Sequence, residues 1–271
     1  MSKYEDVTAN GHDTASRTDM DFDRDVLEDL LLSKAGQVGV ELSLDQAKRI
    51  IDHLDLVLQK NKVFNLTRIV TPEDAIIRHC VDSLRFYKTL LDYDNKPIVA
   101  LESSNFLDIG TGAGYPGIPF AIVSGMSGVL LDSVHKKANA VSEFIEQLSL
   151  SDKLVAKATR VEEFAINQPR SFSIVLARAV AKQGILVEYA SPLLSKGGYF
   201  ISSKANITDE EVDNADRVAK LTGMKLVSRE MFELPDDAGH REIFIYQKVK
   251  EPKLRLPRKN GMAKSKPLWE R

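Results

Sequence analysis

Cysteine is almost missing from this chain, because Cys80 is the only one among 271 residues. A single cysteine excludes an internal disulfide and fits a reducing compartment, so we expect the protein in the cytoplasm. There is also no apolar run of the roughly 20 residues that a membrane helix needs. The first residues, 1–29, are polar and acidic and lack the apolar core of a signal peptide. We therefore expect no membrane partner.

Histidines with the spacing of metal ligands are missing as well. The five histidines are scattered along the chain, at His12, His53, His79, His135 and His240. This spacing argues against a zinc site, and we predict no metal. What is present is ordinary for a soluble globular protein, with 43% hydrophobic and 28% charged residues.

Charge is distributed unevenly along the chain. The net charge is −2, yet residues 248–271 carry nine Lys or Arg against two Glu. Residues 1–29 carry nine acidic and three basic side chains. A basic segment on an otherwise acidic chain is typical of phosphate contact, although a solubilising tail has the same composition. Charge alone leaves both interpretations open.

The first third of the chain predicts helices. Residues 1–21 have few apolar residues and no periodicity, which predicts a disordered acidic extension. A helical cap is predicted over 22–92, beginning with a helix at Arg24–Lys34. Ser43 and Gln46 form a capping box before a helix with one apolar stripe. Pro72 favours the first position of a further helix.

Strands and helices alternate over the predicted domain 93–249. Seven strands are predicted, at Asn105–Ile109, Val129–Asp132, Leu154–Ala158, Phe172–Ala177, Gly198–Lys204, Lys225–Glu233 and Glu242–Lys248. Their short helical connections indicate an α/β fold with a doubly wound, mostly parallel sheet. The last two strands form a hairpin that adds an antiparallel strand. A basic tail, 250–271, completes the chain.

The most informative stretch is the glycine-rich turn after the first strand. Asp108 ends that strand, and Gly110, Gly112 and Gly114 follow at alternating positions. Glycines let the backbone bend sharply and approach a nucleotide closely. The third glycine comes one residue too early for the dinucleotide fingerprint, and Tyr115 stands in its place. This spacing is typical of proteins that bind S-adenosylmethionine (SAM).

A second acidic residue supports the same cofactor. Asp132 ends the strand Val129–Asp132, a little over twenty residues after Gly110. In a doubly wound sheet, the acid at the end of the second strand accepts hydrogen bonds from ribose hydroxyls. A solvated aspartate at a strand end is the alternative interpretation.

Several motifs together resemble the ribosomal RNA small subunit methyltransferase G family, also called glucose-inhibited division protein B. They are Asn65-Leu66-Thr67, Arg78-His79, Asp82-Ser83, the turn from Leu107 to Pro119, Leu131-Asp132-Ser133, Arg160-Val161-Glu162-Glu163, Ala177-Arg178-Ala179, Gly239-His240-Arg241-Glu242 and the basic Leu256–Leu268. The resemblance covers about residues 25–268. Ala113 and Ala205 depart from it, since the family usually has proline and glycine there.

The resemblance implies methyl transfer from SAM to N7 of a guanine in the decoding-region loop of 16S ribosomal RNA. The partner would be that RNA or the small ribosomal subunit, with no DNA and with a monomeric enzyme. Together with the turn itself, the resemblance implies these cofactor contacts: Asp108, Gly110, Gly112, Gly114, Tyr115, Asp132, Ser133, Val161, Glu162 and Arg178. The implied RNA contacts are Asn65, Arg160, Arg178, Lys204 and Arg241.

Guanine N7 has a free lone pair and no proton, so the reaction needs no general base. The catalytic candidates, Arg178, Arg160 and Asn65, are therefore expected to orient the reactants and not to move protons. His79 is expected to be structural, because a lone helical histidine is more often packed than catalytic.

Three alternatives remain open from the residues. One is a SAM methyltransferase of another RNA site or of a small molecule. Another is a non-catalytic RNA-binding module for ribosome assembly. A nicotinamide dehydrogenase is opposed by the glycine spacing and by the terminal hairpin, which is a feature of class I SAM methyltransferases and not of dehydrogenases.

Overall fold

The computed structural model describes residues 23–93 and 104–271. The predicted acidic extension and residues 94–103 lie outside these ranges. Within them, no helix is both long enough and apolar enough to cross a membrane. The same residues contain no group of three or more His, Cys, Asp or Glu side chains placed to hold a metal ion.

Four helices form the N-terminal layer: α1 (Arg24–Gln37), α2 (Leu44–Asn61), α3 (Pro72–Ala75) and α4 (Asp82–Asp92). The predicted capping box is present, because Gln46 N–H donates to Ser43 Oγ and Ser43 N–H donates to Gln46 Oε1. Pro72 occupies the first turn of α3 as predicted. A π-helical turn, Ile76–Val81, joins α3 to α4. This π turn interrupts the regular pattern of α-helical hydrogen bonds, and the Arg78 carbonyl within it accepts a hydrogen bond from Arg178.

The rest of the chain forms the predicted seven-stranded sheet, in the order β3-β2-β1-β4-β5-β7-β6. The strands are β1 (Asn105–Ile109), β2 (Ser127–Asp132), β3 (Leu154–Ala158), β4 (Phe172–Arg178), β5 (Leu194–Lys204), β6 (Met224–Glu233) and β7 (His240–Lys248). The first five strands run parallel, and β7 is antiparallel to its neighbours β5 and β6. The doubly wound, mostly parallel α/β class is confirmed.

Helices cover both faces of this sheet. They are α5 (Gly117–Ser124), α6 (His135–Gln147), α7 (Val161–Asn167), α8 (Gln183–Ala190) and α9 (Asp209–Thr222). Successive strand residues point to opposite faces. Phe106 accordingly packs with the N-terminal helices and α5 in one core, while Leu107 packs with α7, α8 and α9 in the other.

Strand β5 begins earlier than predicted. We expected it over Gly198–Lys204, but α8 ends early, at Ala190, and Leu194 already begins β5. Pro192 explains the early end, because proline has no N–H to continue the helical ladder.

The C-terminal segment, residues 250–271, packs along the sheet face that carries α8. It contains a short helix, α10 (Met262–Ser265), and a 3-10 turn at Leu268–Glu270. Ala263 and Leu268 are buried in the second core, with 2% and 1% of their surfaces exposed. Arg258 forms a two-pronged ion pair with the buried Glu188 of α8, both contacts at 2.7 Å. The segment is thus fastened to the domain by apolar and ionic contacts.

Candidate functional site

The glycine turn lies at the carboxyl end of β1 and is tied to β2. Gly110 N–H and Thr111 N–H both donate to the Leu131 carbonyl, at 2.7 and 3.0 Å. Gly110 and Gly112 have φ angles of +71° and +62°, which non-glycine residues rarely adopt. A Cβ on Gly110 would also stand 2.6 Å from a methyl carbon of Val180. The turn therefore requires glycine at position 110 for both conformation and space.

A cavity of about 320 Å³ opens beside this turn. Strand order reverses between β1 and β4, and ligands of open α/β sheets bind at the carboxyl ends of strands at such a reversal. The walls come from the segments that follow β1, β2, β3 and β4. The volume is at the lower end of the range for small-molecule sites.

Asp132 and Ser133 form the part of the wall that follows β2. The Asp132 carboxylate accepts hydrogen bonds from Gly112 N–H at 3.1 Å and Val134 N–H at 2.8 Å. Each oxygen keeps a further lone pair, and the side chain still lines the cavity. A carboxylate fixed in this way is suited to accept from the hydroxyls of a ribose.

Arg160, Val161 and Glu162 line the cavity at the end of β3. Arg160 is exposed, while Val161 and Glu162 are buried at the start of α7. Glu162 Oε1 accepts from Tyr189 O–H at 3.3 Å and from Gly261 N–H at 2.9 Å. The Glu162 carboxylate thus joins the cavity wall to the C-terminal segment.

Asp108 supports the turn from beneath and does not line the cavity. It is fully buried, and its Oδ2 accepts from Gly117 N–H at 3.0 Å. Burial raises the pKa of this carboxyl to about 6, against a smaller lowering by the neighbouring Thr111 hydroxyl and by the hydrogen bond from Gly117 N–H. Its place in the fold is that of a brace between β1 and α5.

Gly114 and Tyr115 also face away from the cavity. The Tyr115 ring is buried and stacks on His79, with ring centroids 4.8 Å apart and planes 17° from parallel. A Cβ on Gly114 would come within 2.8 Å of His53 Nε2. These two residues of the turn therefore contact the N-terminal helices.

Arg178 and Arg241 meet at one carboxylate of the helical layer. Arg178 ends β4 and donates to Asp82 Oδ2 at 3.1 Å, and Arg241 Nε donates to the same oxygen at 3.3 Å. Arg178 donates in addition to the Arg78 carbonyl, which lies in the π turn, and to His79 Nδ1. Neither arginine lines the cavity, and both connect the strand ends to α4.

His79 is buried, as its structural interpretation requires. Its Nδ1 accepts from Arg178, so Nε2 carries the proton and donates to Thr67 Oγ1 at 2.8 Å. Burial, followed by the nearby Arg178 charge, lowers the pKa of His79 to about 3. Asn65, two residues before Thr67, lies exposed in the loop after α2.

Lys204 is engaged inside the protein. Its Nζ donates to the Ala181 carbonyl at 2.6 Å and forms an ion pair with Glu211 at 2.9 Å. This lysine therefore holds the segment after β4 against α9.

Several lining residues were missed in the sequence. Ala179 and Val180 directly follow Arg178, and Ala179 adopts a φ of +54°, unusual for alanine. Lys137 and Tyr189 face the cavity from α6 and α8, and Lys264 does so from the C-terminal segment. Ala179 and Val180 directly follow β4, and Lys137 lies on the first turn of the helix after β2, so these positions are recognisable from strand prediction alone. Lys264 has no such local signal.

Comparison with known proteins identifies the family. The family model for rRNA small subunit methyltransferase G matches residues 46–240. Ribosomal RNA small subunit methyltransferase G of Desulfitobacterium hafniense (strain Y51) is 34% identical over 86% of this chain and 93% of its own length. The protein of the same name from Acetivibrio thermocellus is 34% identical over 89% of this chain and 97% of its own length.

Solved structures support the fold. An O-methyltransferase from Bacillus cereus in complex with SAH superposes with a TM-score of 0.53 at 18% identity, covering 83% of this chain and 100% of its own. Geranyl diphosphate methyltransferase in complex with SAM gives a TM-score of 0.50 at 10% identity, covering 65% and 90%. These likenesses concern the sheet and its helices. The family model and the relatives above lead to one conclusion: this chain belongs to the ribosomal RNA small subunit methyltransferase G family.

Proposed function

We propose that this protein transfers a methyl group from SAM to N7 of one guanine in the decoding-region loop of 16S ribosomal RNA. The proposal rests on the cavity at the strand-order reversal. The walls of this cavity contain motif residues of the family to which the chain belongs. SAM-dependent methyl transfer to ribosomal RNA follows from family membership; the decoding-region position is our inference.

The cofactor would be held by Gly110, Gly112, Asp132, Ser133, Val161 and Glu162. Gly110 and Gly112 allow close approach of the backbone, and Asp132 offers acceptors to the ribose. SAM supplies the methyl group on a positively charged sulfur. Val161 and Glu162 would bound the adenine end, where Tyr189 O–H and Gly261 N–H keep the Glu162 carboxylate in place.

The chain's contribution to the chemistry would be orientation. Guanine N7 offers its lone pair without losing a proton, so no side chain has to act as a base. Holding two reactants in line is worth roughly 7–11 kcal/mol at the extreme. The carboxylates of Asp132 and Glu162 are engaged by backbone N–H groups, which suits binding better than proton transfer.

We propose different roles for the predicted RNA residues. Arg160 is exposed at the cavity wall, and Asn65 is exposed on the loop after α2, so both would contact RNA. Arg178 and Arg241 would act as positioning residues, because both are held by Asp82. Lys204 would position the segment after β4 through the Ala181 carbonyl.

We further propose that the protein acts as a cytoplasmic monomer on 16S RNA or on the small subunit. The decisive experiment incubates the protein and SAM with small subunits that lack the modification, and analyses their nucleosides by mass spectrometry. Naked 16S RNA and large-subunit RNA run in parallel. The expected result is new 7-methylguanosine in the small subunits or in the naked 16S RNA, and none in the large-subunit RNA.

Sequencing at the modified position tests the decoding-region assignment separately. Methylation at another guanine would overturn that assignment and leave the reaction intact. Absence of methylation, with SAM binding shown by calorimetry, would favour a different substrate. Absence of SAM binding would favour the assembly-module alternative.

A further inference from the structure

A second cavity, of about 430 Å³, adjoins the proposed cofactor cavity. The two are neighbours on either side of one short segment after β4. Ala179 and Val180 line the cofactor cavity, and the next residues, Ala181 and Lys182, line the second. Lys264 of the C-terminal segment lines both. A ligand in the second cavity would therefore lie beside the bound cofactor.

The lining of this second cavity combines positive charge with an aromatic surface. Lys182 and Lys264 are exposed, and neither forms a salt bridge with any residue in 23–93 or 104–271. Trp269 contributes an indole, and Glu270 is the acidic residue of the lining. Most of the lysine charge is thus available to an anionic ligand.

Trp269 is held rigidly enough to serve as a stacking platform. Its ring packs against Gly184 of α8, where a Cβ would come within 2.9 Å of two indole carbons. Leu268, directly before it, is buried in the second core. A ring fixed in this way loses little entropy when a base stacks on it, and every base offers a π face.

We propose that this second cavity binds a nucleotide of the substrate RNA next to the target guanine. Its phosphate would contact Lys182 and Lys264, and its base would stack on Trp269. This inference rests on the proposed function, because it takes RNA to be the substrate. It gives the basic C-terminal segment a specific role, in which one segment closes the cofactor cavity and contacts the RNA.

Trp269 is the only tryptophan of the chain, so its fluorescence reports on this cavity. The test titrates the full-length protein with single-stranded RNA oligonucleotides from 16S RNA, and separately with tripolyphosphate and with SAM. RNA is expected to quench the emission, whereas tripolyphosphate, which has no base, should change it little. Equal quenching by tripolyphosphate would contradict stacking.

Variants make the test independent of fluorescence. Lys182→Ala should weaken RNA binding and lower the salt slope by about 0.7, the value for one phosphate contact on a single strand. Trp269→Leu should weaken RNA binding by roughly tenfold or more, and Trp269→Phe should retain most of it. Lys196→Ala is the matched control. Lys196 is exposed near the amino end of β5, whereas the two cavities lie at the carboxyl ends of the parallel strands.

Thermal unfolding and SAM calorimetry of each variant separate a local effect from a folding defect. The proposal would be overturned if Lys182→Ala and folded Trp269→Leu bound RNA with wild-type affinity and RNA left the emission of the wild-type protein unchanged. Methylation of 16S RNA by the wild-type protein is measured in parallel. If methylation is present while the variants bind normally, the second cavity is not an RNA site and the proposed function stands; if methylation is absent, the proposed function fails on its own readout.

Discussion

At the scale of single residues, Asp132 both holds the glycine turn in place and lines the cavity. Its two oxygens accept from Gly112 N–H and Val134 N–H while its side chain lines the cavity. Removing the carboxylate would leave these amides and the ribose hydroxyls without their acceptor. Each such loss costs about 1–3 kcal/mol.

We therefore predict that Asp132→Ala weakens SAM binding by roughly one to two orders of magnitude, as measured by titration calorimetry. Asp132→Asn, which keeps one acceptor oxygen, should lose less. Asp152→Ala is a suitable control, because Asp152 is exposed in the turn before β3. A wild-type SAM affinity in Asp132→Ala would remove this residue from the cofactor site.

The residue scale also marks a limit of sequence reasoning. The position of Arg178 at the end of β4 follows from a strand pattern, but its partner does not. Asp82 lies 96 residues earlier, and the Arg78 carbonyl is presented by a π turn. Neither feature leaves a periodic signal, so the contacts of Arg178 with the helical layer are seen only in the structure.

At the scale of elements, Asp82 joins α4 to the ends of β4 and β7. Its side chain is 4% exposed, and those of Arg178 and Arg241 are 14% exposed. Removing one member of a buried pair leaves uncompensated charge, which costs about 3–5 kcal/mol. We predict that Asp82→Ala lowers the free energy of unfolding by an amount in that range, measured by urea denaturation.

The matched control is Asp74 of α3, shortly before the π turn. Asp74 forms an ion pair with Arg78 that is largely exposed, with side-chain exposures of 55% and 38%. Exposed pairs contribute little, so Asp74→Ala should change stability by less than about 1 kcal/mol. Equal effects of the two substitutions would contradict the anchoring role of Asp82.

The attachment of the C-terminal segment can be tested through Arg258 and Glu188, whose side chains are only 6% and 5% exposed. Arg258→Met leaves Glu188 buried without a partner and should loosen the segment from α8. Because Gly261 N–H contacts Glu162 in the cavity wall, SAM affinity should fall together with stability. Adding Glu188→Met should restore much of the stability, since burying two apolar side chains of similar size avoids the unpaired charge. Calorimetry and denaturation of the single and double variants measure this coupling.

At the scale of the whole molecule, local patterns predict the architecture well. The bounds of β1 and β3 agree with those expected from alternation and strand composition. The path of residues 250–271 was not predictable in this way. Its few apolar residues show no helical or strand period, and they are buried only because α8 and α9 offer a complementary surface. Long-range packing decides the path of such a segment. The contribution of Lys264 to the cavity wall is therefore seen only in the structure.

Acid sensitivity of the whole fold follows from its buried titrating groups. Burial lowers the pKa of both His53 and His79 from 6.5 to about 3, while it raises that of Asp108 from 3.8 to about 6. Between pH 6.5 and 3 the unfolded chain therefore binds up to two more protons at the histidines, so stability falls as the pH falls. Between pH 6 and 3.8 the folded chain holds one extra proton on Asp108, which opposes part of that loss.

We predict that the free energy of unfolding decreases on acidification below pH 6.5, and that His53→Gln reduces the slope by up to about 1.4 kcal/mol per pH unit, the limit for one proton. Glutamine can still donate to the Ala113 carbonyl, as His53 Nε2 does at 2.9 Å, but it cannot bind a proton in the unfolded chain. Urea denaturation at several pH values between 5 and 6.5 measures the slope. His135→Gln serves as control because His135 is exposed at the start of α6, and its slope should match the wild type. An unchanged slope in His53→Gln would mean that His53 takes up its proton without unfolding, and the interface between the helical layer and the glycine turn would then be open to water.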